Sequence, residues 1–111
     1  MKKISVCVSA LAIFASQAAC AFTGNDLIKW LHEYENDRIS TFSGGLYLGY
    51  VAGIADTTNG LAFCPNGDVT NGQNAAVVAK WLRKNPERWT EEASMLILTA
   101  LQASYPSCKR T

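Results

Sequence analysis

Thr90-Glu91-Glu92-Ala93-Ser94-Met95-Leu96-Ile97-Leu98-Thr99-Ala100-Leu101-Gln102-Ala103-Ser104-Tyr105-Pro106 decides the fold class. Ala93, Leu96, Ile97, Ala100, Leu101 and Ser104 recur at i, i+3, i+4, i+7, i+8 and i+11, the spacing that lines one face of an α-helix. Thr90 is placed to cap this helix, and Glu91 and Glu92 fall where the positive end of the helix dipole favours acids. Pro106 ends it.

Working outward toward the N-terminus, Ala75, Val78, Trp81 and Leu82 repeat the same periodicity. Thr70 and Gln73 have the spacing of a capping box, in which each side chain meets a backbone amide at the other's position. Asn85-Pro86 stops this helix near Lys84, because the residue before proline disfavours helical geometry. Lys80, Arg83 and Lys84 sit in its last turns, at the negative end of the dipole. A first helix is expected up to about Asn36, with Leu27, Ile28, Leu31 and Tyr34 on its apolar face and Asn25 or Asp26 as its cap.

Between these lies 39–55, seventeen residues without a charge. Apolar on all sides and without period-two alternation, it reads as a buried central helix. Its four glycines and three Ser/Thr residues argue against a membrane span. Gly49 and Gly53, four apart, are expected to let a neighbouring helix approach closely, with a dimer contact as the alternative. The segment that follows is dense in turn formers, from Asp56-Thr57-Thr58-Asn59-Gly60 to Cys64-Pro65-Asn66-Gly67-Asp68, and reads as a loop. The resulting architecture is all-α, a compact bundle of about four helices.

The N-terminus has a different logic. Met1-Lys2-Lys3 is basic, 4–15 is uncharged, and the run ends in Ala19-Cys20-Ala21. These are the marks of a cleaved secretory signal peptide over 1–21, leaving one domain over 22–111. The apolar run is shorter than the about 20 residues that a spanning helix needs. Cys20 raises a lipoprotein alternative, but Gln17 stands where such sites usually carry Leu. Cleavage removes Cys7 and Cys20 and leaves Cys64 and Cys108, an even pair bound for a compartment that permits disulfides. They are expected to bond. Closing that loop is worth about 4 kcal/mol in the chain-entropy model. Losing Lys2 and Lys3 leaves eight basic residues against nine acidic ones, a net charge of −1. Nucleic acid and anionic membranes call for a basic excess on one face, which the sequence does not display.

Catalytic chemistry needs convergent titratable groups, and few are present. His32 is the only histidine and lies among Glu33 and Glu35, as a structural residue would. With both remaining cysteines in a disulfide there is neither a thiolate nucleophile nor a soft ligand set for a metal. No catalytic residue, metal or cofactor is expected. Asp56 reads as a partner for loop amides or as a contact for another protein. Trp30, Trp81 and Trp89 read as core and edge packing.

The succession Gly49-Tyr50-Val51-Ala52-Gly53-Ile54-Ala55-Asp56, Phe63-Cys64-Pro65, Val69-Thr70 with Gln73, Val77-Val78, Trp81-Leu82, Asn85-Pro86-Glu87, Ala93, Ala100-Leu101 and Tyr105-Pro106 ending near Cys108 resembles the Rap/Tai immunity family. The resemblance runs from about Gly24 to Cys108. It implies a small all-helical periplasmic protein, often a homodimer, that binds a peptidoglycan amidase effector of type VI secretion and occludes its active site. Many relatives carry a further cysteine pair, at positions that fall here on Leu31 and Tyr47, so packing must join the first two helices. Relatives also often read Pro-Cys where Ser107 intervenes here. Effector contacts are expected in the irregular segment 56–68, with Asp56, Asn59, Asn66 and Asp68 as candidates. A small disulfide-bonded periplasmic chaperone or stress protein is the competing reading.

Overall fold

The structure, a computed structural model, describes residues 21–36 and 41–109. The predicted signal peptide up to Cys20, and with it the lipidation alternative, lies outside the described residues. Those described form four α-helices, α1 (Gly24–Glu35), α2 (Phe42–Thr58), α3 (Asn71–Lys84) and α4 (Ala93–Ser104), with a 3-10 turn at Pro86–Arg88. Among the described residues the β-type pairings are two isolated bridges, Thr23 with Glu92 and Asn59 with Phe63. The all-α reading holds.

One core joins all four helices. Leu27, Trp30 and Leu31 of α1, Tyr47, Val51 and Ala55 of α2, and Ala75, Val78, Ala79 and Leu82 of α3 close on Ala93, Leu96, Ile97, Ala100 and Leu101 of α4. Phe63 enters from the loop. Each large apolar side chain taken out of water contributes about 1.5–3 kcal/mol before the entropy of ordering it is subtracted. Leu31 and Tyr47, where the resemblance implies a cysteine pair in relatives, are both in this core. Packing does replace that bridge.

The helix ends follow local chemistry, with two corrections. For α3 the capping box forms as expected, Gln73 N donating to Thr70 Oγ1 at 3.1 Å and Thr70 N to Gln73 Oε1 at 2.8 Å. For α1 the cap is Thr23 rather than Asn25 or Asp26, and the Asp26 carboxylate reaches back to accept from Thr23 N at 2.9 Å. For α4 the cap is Glu92 rather than Thr90, and its side chain makes no cap bond. A tertiary contact supplies what the local sequence does not: Ala93 N donates to Phe22 O at 2.8 Å, and Gly24 N to Glu91 O at 3.0 Å. The chain ahead of α1 thereby holds Glu92 extended, and both Glu91 and Glu92 stay outside the helix.

The central helix departs most from expectation. Only Gly44, Tyr47, Val51 and Ala55 of α2 are buried, so a helix that reads as apolar all round covers one face. A Cβ added at Gly49 or Gly53 would meet nothing within 4 Å. No described helix packs closely there. The glycine that is sterically required is Gly24, where a Cβ would lie 2.6 Å from Leu96 Cδ1 and 2.7 Å from Trp89 Cα.

Candidate functional site

The segment leaving α2 is built from alternating anchors and tips. Asn59 N closes the helix on Ala55 O at 2.8 Å, and Gly60 takes a φ of +85°, a left-handed turn that glycine adopts without strain. The amides of Leu61 and Ala62 both return to Thr58 O. Phe63 then turns inward and stacks on Tyr105 with ring centroids 5.6 Å apart. Beyond it Cys64 is bonded to Cys108 as expected, their Cα atoms 4.9 Å apart, and Cys64 N donates to Pro106 O at 2.8 Å. Gln102 Nε2 reaches Ala62 O at 3.2 Å. A second left-handed glycine, Gly67, turns the chain toward α3.

These anchors leave two projections on a fixed base, Asn59–Gly60–Leu61 and Asn66–Gly67–Asp68. Asp56, Asn59, Asn66 and Asp68 are all exposed, and among the described residues none of their side chains makes a hydrogen bond or ion pair. Asp56 therefore does not serve the loop amides; it sits in the last turn and a half of α2, while the neighbouring Thr57 and Thr58 hydroxyls donate to helix carbonyls. Leu61, which sequence reasoning passed over, is 80 % exposed at the first tip. An apolar residue flanked by turn formers is the signal that was available.

Elsewhere two arginines are committed to ion pairs. Arg83 pairs with Glu35, and Arg88 holds Glu91 through two bonds of 2.8 and 2.9 Å. The hydrogen bond from Arg88 keeps the Glu91 carboxyl below the usual range and in turn raises the guanidinium. His32 is exposed at the edge of a shallow depression with Ile28, Leu31, Glu35, Arg83 and Trp89. Among the described residues no group of three or more His, Cys, Asp or Glu is arranged to hold a metal. Burial raises the Tyr105 phenol, whose Oη donates to the buried Asn74 at 2.8 Å. The segment after α2 is thus a stapled loop on an ordered base.

The model of the Rap1a immunity proteins matches residues 23–108. The chain belongs to that family. No curated protein matches it. The matched span takes in the four helices and the stapled segment, so the family pattern and the folded unit coincide. Membership in an immunity family implies an effector as partner. Among the described residues no helix is long and apolar enough to cross a membrane.

Proposed function

We propose that this Rap1a-family protein is exported to the periplasm by cleavage after Ala21 and there binds a peptidoglycan amidase delivered by type VI secretion, occluding its active site. Membership of the immunity family over 23–108 carries the reading. The protein acts by binding and performs no catalysis of its own. The 56–68 segment is the part that enters the enzyme cleft, with Asp56, Asn59, Leu61, Asn66 and Asp68 as contacts. Its anchoring by Phe63, Gln102 and the disulfide favours this role, because a pre-ordered loop avoids part of the entropy that otherwise subtracts from affinity. An inhibitor of a lethal enzyme has to hold at low occupancy, which calls for nanomolar affinity or about −12 kcal/mol.

A homodimer, implied by family resemblance, places its contact on the uncovered side of α2. The test of the main reading expresses candidate amidase effectors in the periplasm, with and without the protein, and titrates each purified pair. Protection and stoichiometric inhibition are expected. An amidase neither bound nor inhibited, with no sensitisation on deleting the gene, would return the protein to the chaperone reading.

A further inference from the structure

Four of the ten basic residues, Lys80, Arg83, Lys84 and Arg88, fall within nine positions at the end of α3, a concentration that the near-neutral composition conceals. They are not equivalent. Arg83 is paired with Glu35 and Arg88 with Glu91, whereas Lys80 and Lys84, one turn apart and exposed, have no carboxylate partner among the described residues. Both lysines line a groove of about 430 Å³ with Val77, Trp81, Ala103 and Ser104. The small residues of α4 leave the half-buried Trp81 accessible along one wall.

Trp81 is held in place from the far side. The Arg88 guanidinium lies 5.1 Å from its ring centroid, fixed there by the two bonds to Glu91, and Asn85 Nδ2 donates to Trp81 O at 2.8 Å. An aromatic side chain that is already ordered loses little entropy on contact, which is why Trp recurs among the residues that dominate interfaces. Two unpaired ammonium groups beside a fixed indole match one or two carboxylates flanking an apolar side chain. A polyanion would need more cations than two, so nucleic acid fits the groove poorly.

We infer that the groove between α3 and α4 is a docking surface for an acidic segment of the protein partner. This rests on the immunity reading for the partner's identity, and on the groove alone for its chemistry. The location supports it: Gln102, which holds the loop at Ala62, directly precedes Ala103 and Ser104 in the groove wall. A partner seated over the stapled loop reaches Lys80 and Lys84 without leaving the surface.

The test uses the mature protein, Lys80→Glu/Lys84→Glu, and the milder Lys80→Gln/Lys84→Gln, each checked by circular dichroism. Against the amidase effector, charge reversal is expected to weaken binding roughly tenfold or more, and the wild-type affinity to fall with salt, as for partly desolvated charge pairs. A second arm needs no effector. A short peptide of alternating glutamate and leucine is expected to shift the Trp81 indole resonance, and its glutamine counterpart is not; both neutral and reversed variants abolish the shift. If the effector binds wild type and reversed variant alike, the groove inference fails and the immunity reading stands. If the effector binds neither, the immunity reading fails and the peptide arm alone decides the groove. Equal shifts from both peptides, or a response only to a disaccharide-peptide fragment of cell wall, overturn the inference.

Discussion

Tyr47 ties two helices together at a single atom. Its ring is wholly buried, it packs 5.3 Å from Tyr34, and its Oη donates to Ala75 O at 2.6 Å. Burial, with the negative charges of Glu35 and ionised Tyr34 behind it, pushes the phenol well above its ordinary value of 10.0, and Arg83 only partly opposes this. The neutral form is therefore favoured by folding. Stability from Tyr47 is complete below about pH 10, where the unfolded chain's tyrosines ionise, and is lost as pH rises beyond it. We expect alkali to unfold the protein above that point, with tyrosinate absorbance from Tyr47 and loss of helical dichroism in one transition. Tyr47→Phe should cost about 0.5–1.5 kcal/mol at neutral pH and move the alkaline transition upward. Ionisation of Tyr47 within an intact fold would contradict this. Gly24 and Gly53 make the second residue-scale case. Gly24→Ala meets Leu96 and the Trp89 backbone and should destabilise by about 1–3 kcal/mol, whereas Gly53→Ala faces open space and should stabilise α2 by up to about 1 kcal/mol in urea titrations. Both are written as G in the sequence, and four-residue spacing made Gly53 look like the packed one. Which side a neighbour approaches from is a tertiary property that spacing does not carry.

At the scale of elements, what could be read in advance was whatever depends on residues close in sequence. The apolar face of α4, the reciprocal cap of α3 and the stop at Asn85-Pro86 are all local, and all stand. The start of α4 was misread because its first amide is satisfied by Phe22 O from the other end of the domain. The disulfide was legible because the expected cleavage would remove two cysteines and leave two. The loop's position was legible from its turn formers except at its start, since Asp56, Thr57 and Thr58 remain in α2; its shape was not, because Phe63 and Gln102 decide which residues become tips. Lys80 and Lys84 read as dipole partners of α3, and only the placement of Ala103 and Ser104 opposite them opens a groove. The staple itself can be weighed. Replacing Cys64 and Cys108 together by Ala should cost about 2–4 kcal/mol and lower the melting temperature by roughly 10 °C or more for a domain of this size. Phe63, still stacked on Tyr105, should keep the fold, so amide exchange is expected to speed up mainly across 59–68. A melting temperature unmoved by the double substitution would show that the loop is held by packing alone.

At the scale of the whole molecule, α2 is the element out of balance. It has no charge from Phe42 to Ala55, yet it buries one side, leaving Phe42 82 % exposed above a groove of about 490 Å³ lined with Gly45, Leu46, Gly49 and Tyr50. Phe22, also 46 % exposed, packs edge-on against Tyr50 and Trp30 and extends the same surface. Phe42 is a projecting ring and the glycine-lined groove a recess, both on one helix. A two-fold axis across α2 would set each ring into the other copy's recess, as an isologous contact requires. Size limits how tight such a contact is. The face from Phe42 to Gly53 spans about 18 Å of a helix about 10 Å wide, short of the about 800 Å² per partner found in standard stable interfaces. The homodimer should therefore be concentration-dependent, dissociating in the micromolar range unless Phe22 and its surroundings enlarge the contact. Light scattering across a dilution series reads this directly. Phe42→Asp is expected to hold the protein monomeric at every concentration without lowering its melting temperature, since that side chain contributes nothing to the core. Gly49→Leu, whose Cβ meets nothing within 4 Å, should do the same by filling the recess. If both variants dimerise as wild type does, the contact lies elsewhere and the apolar side of α2 must be covered by a different partner.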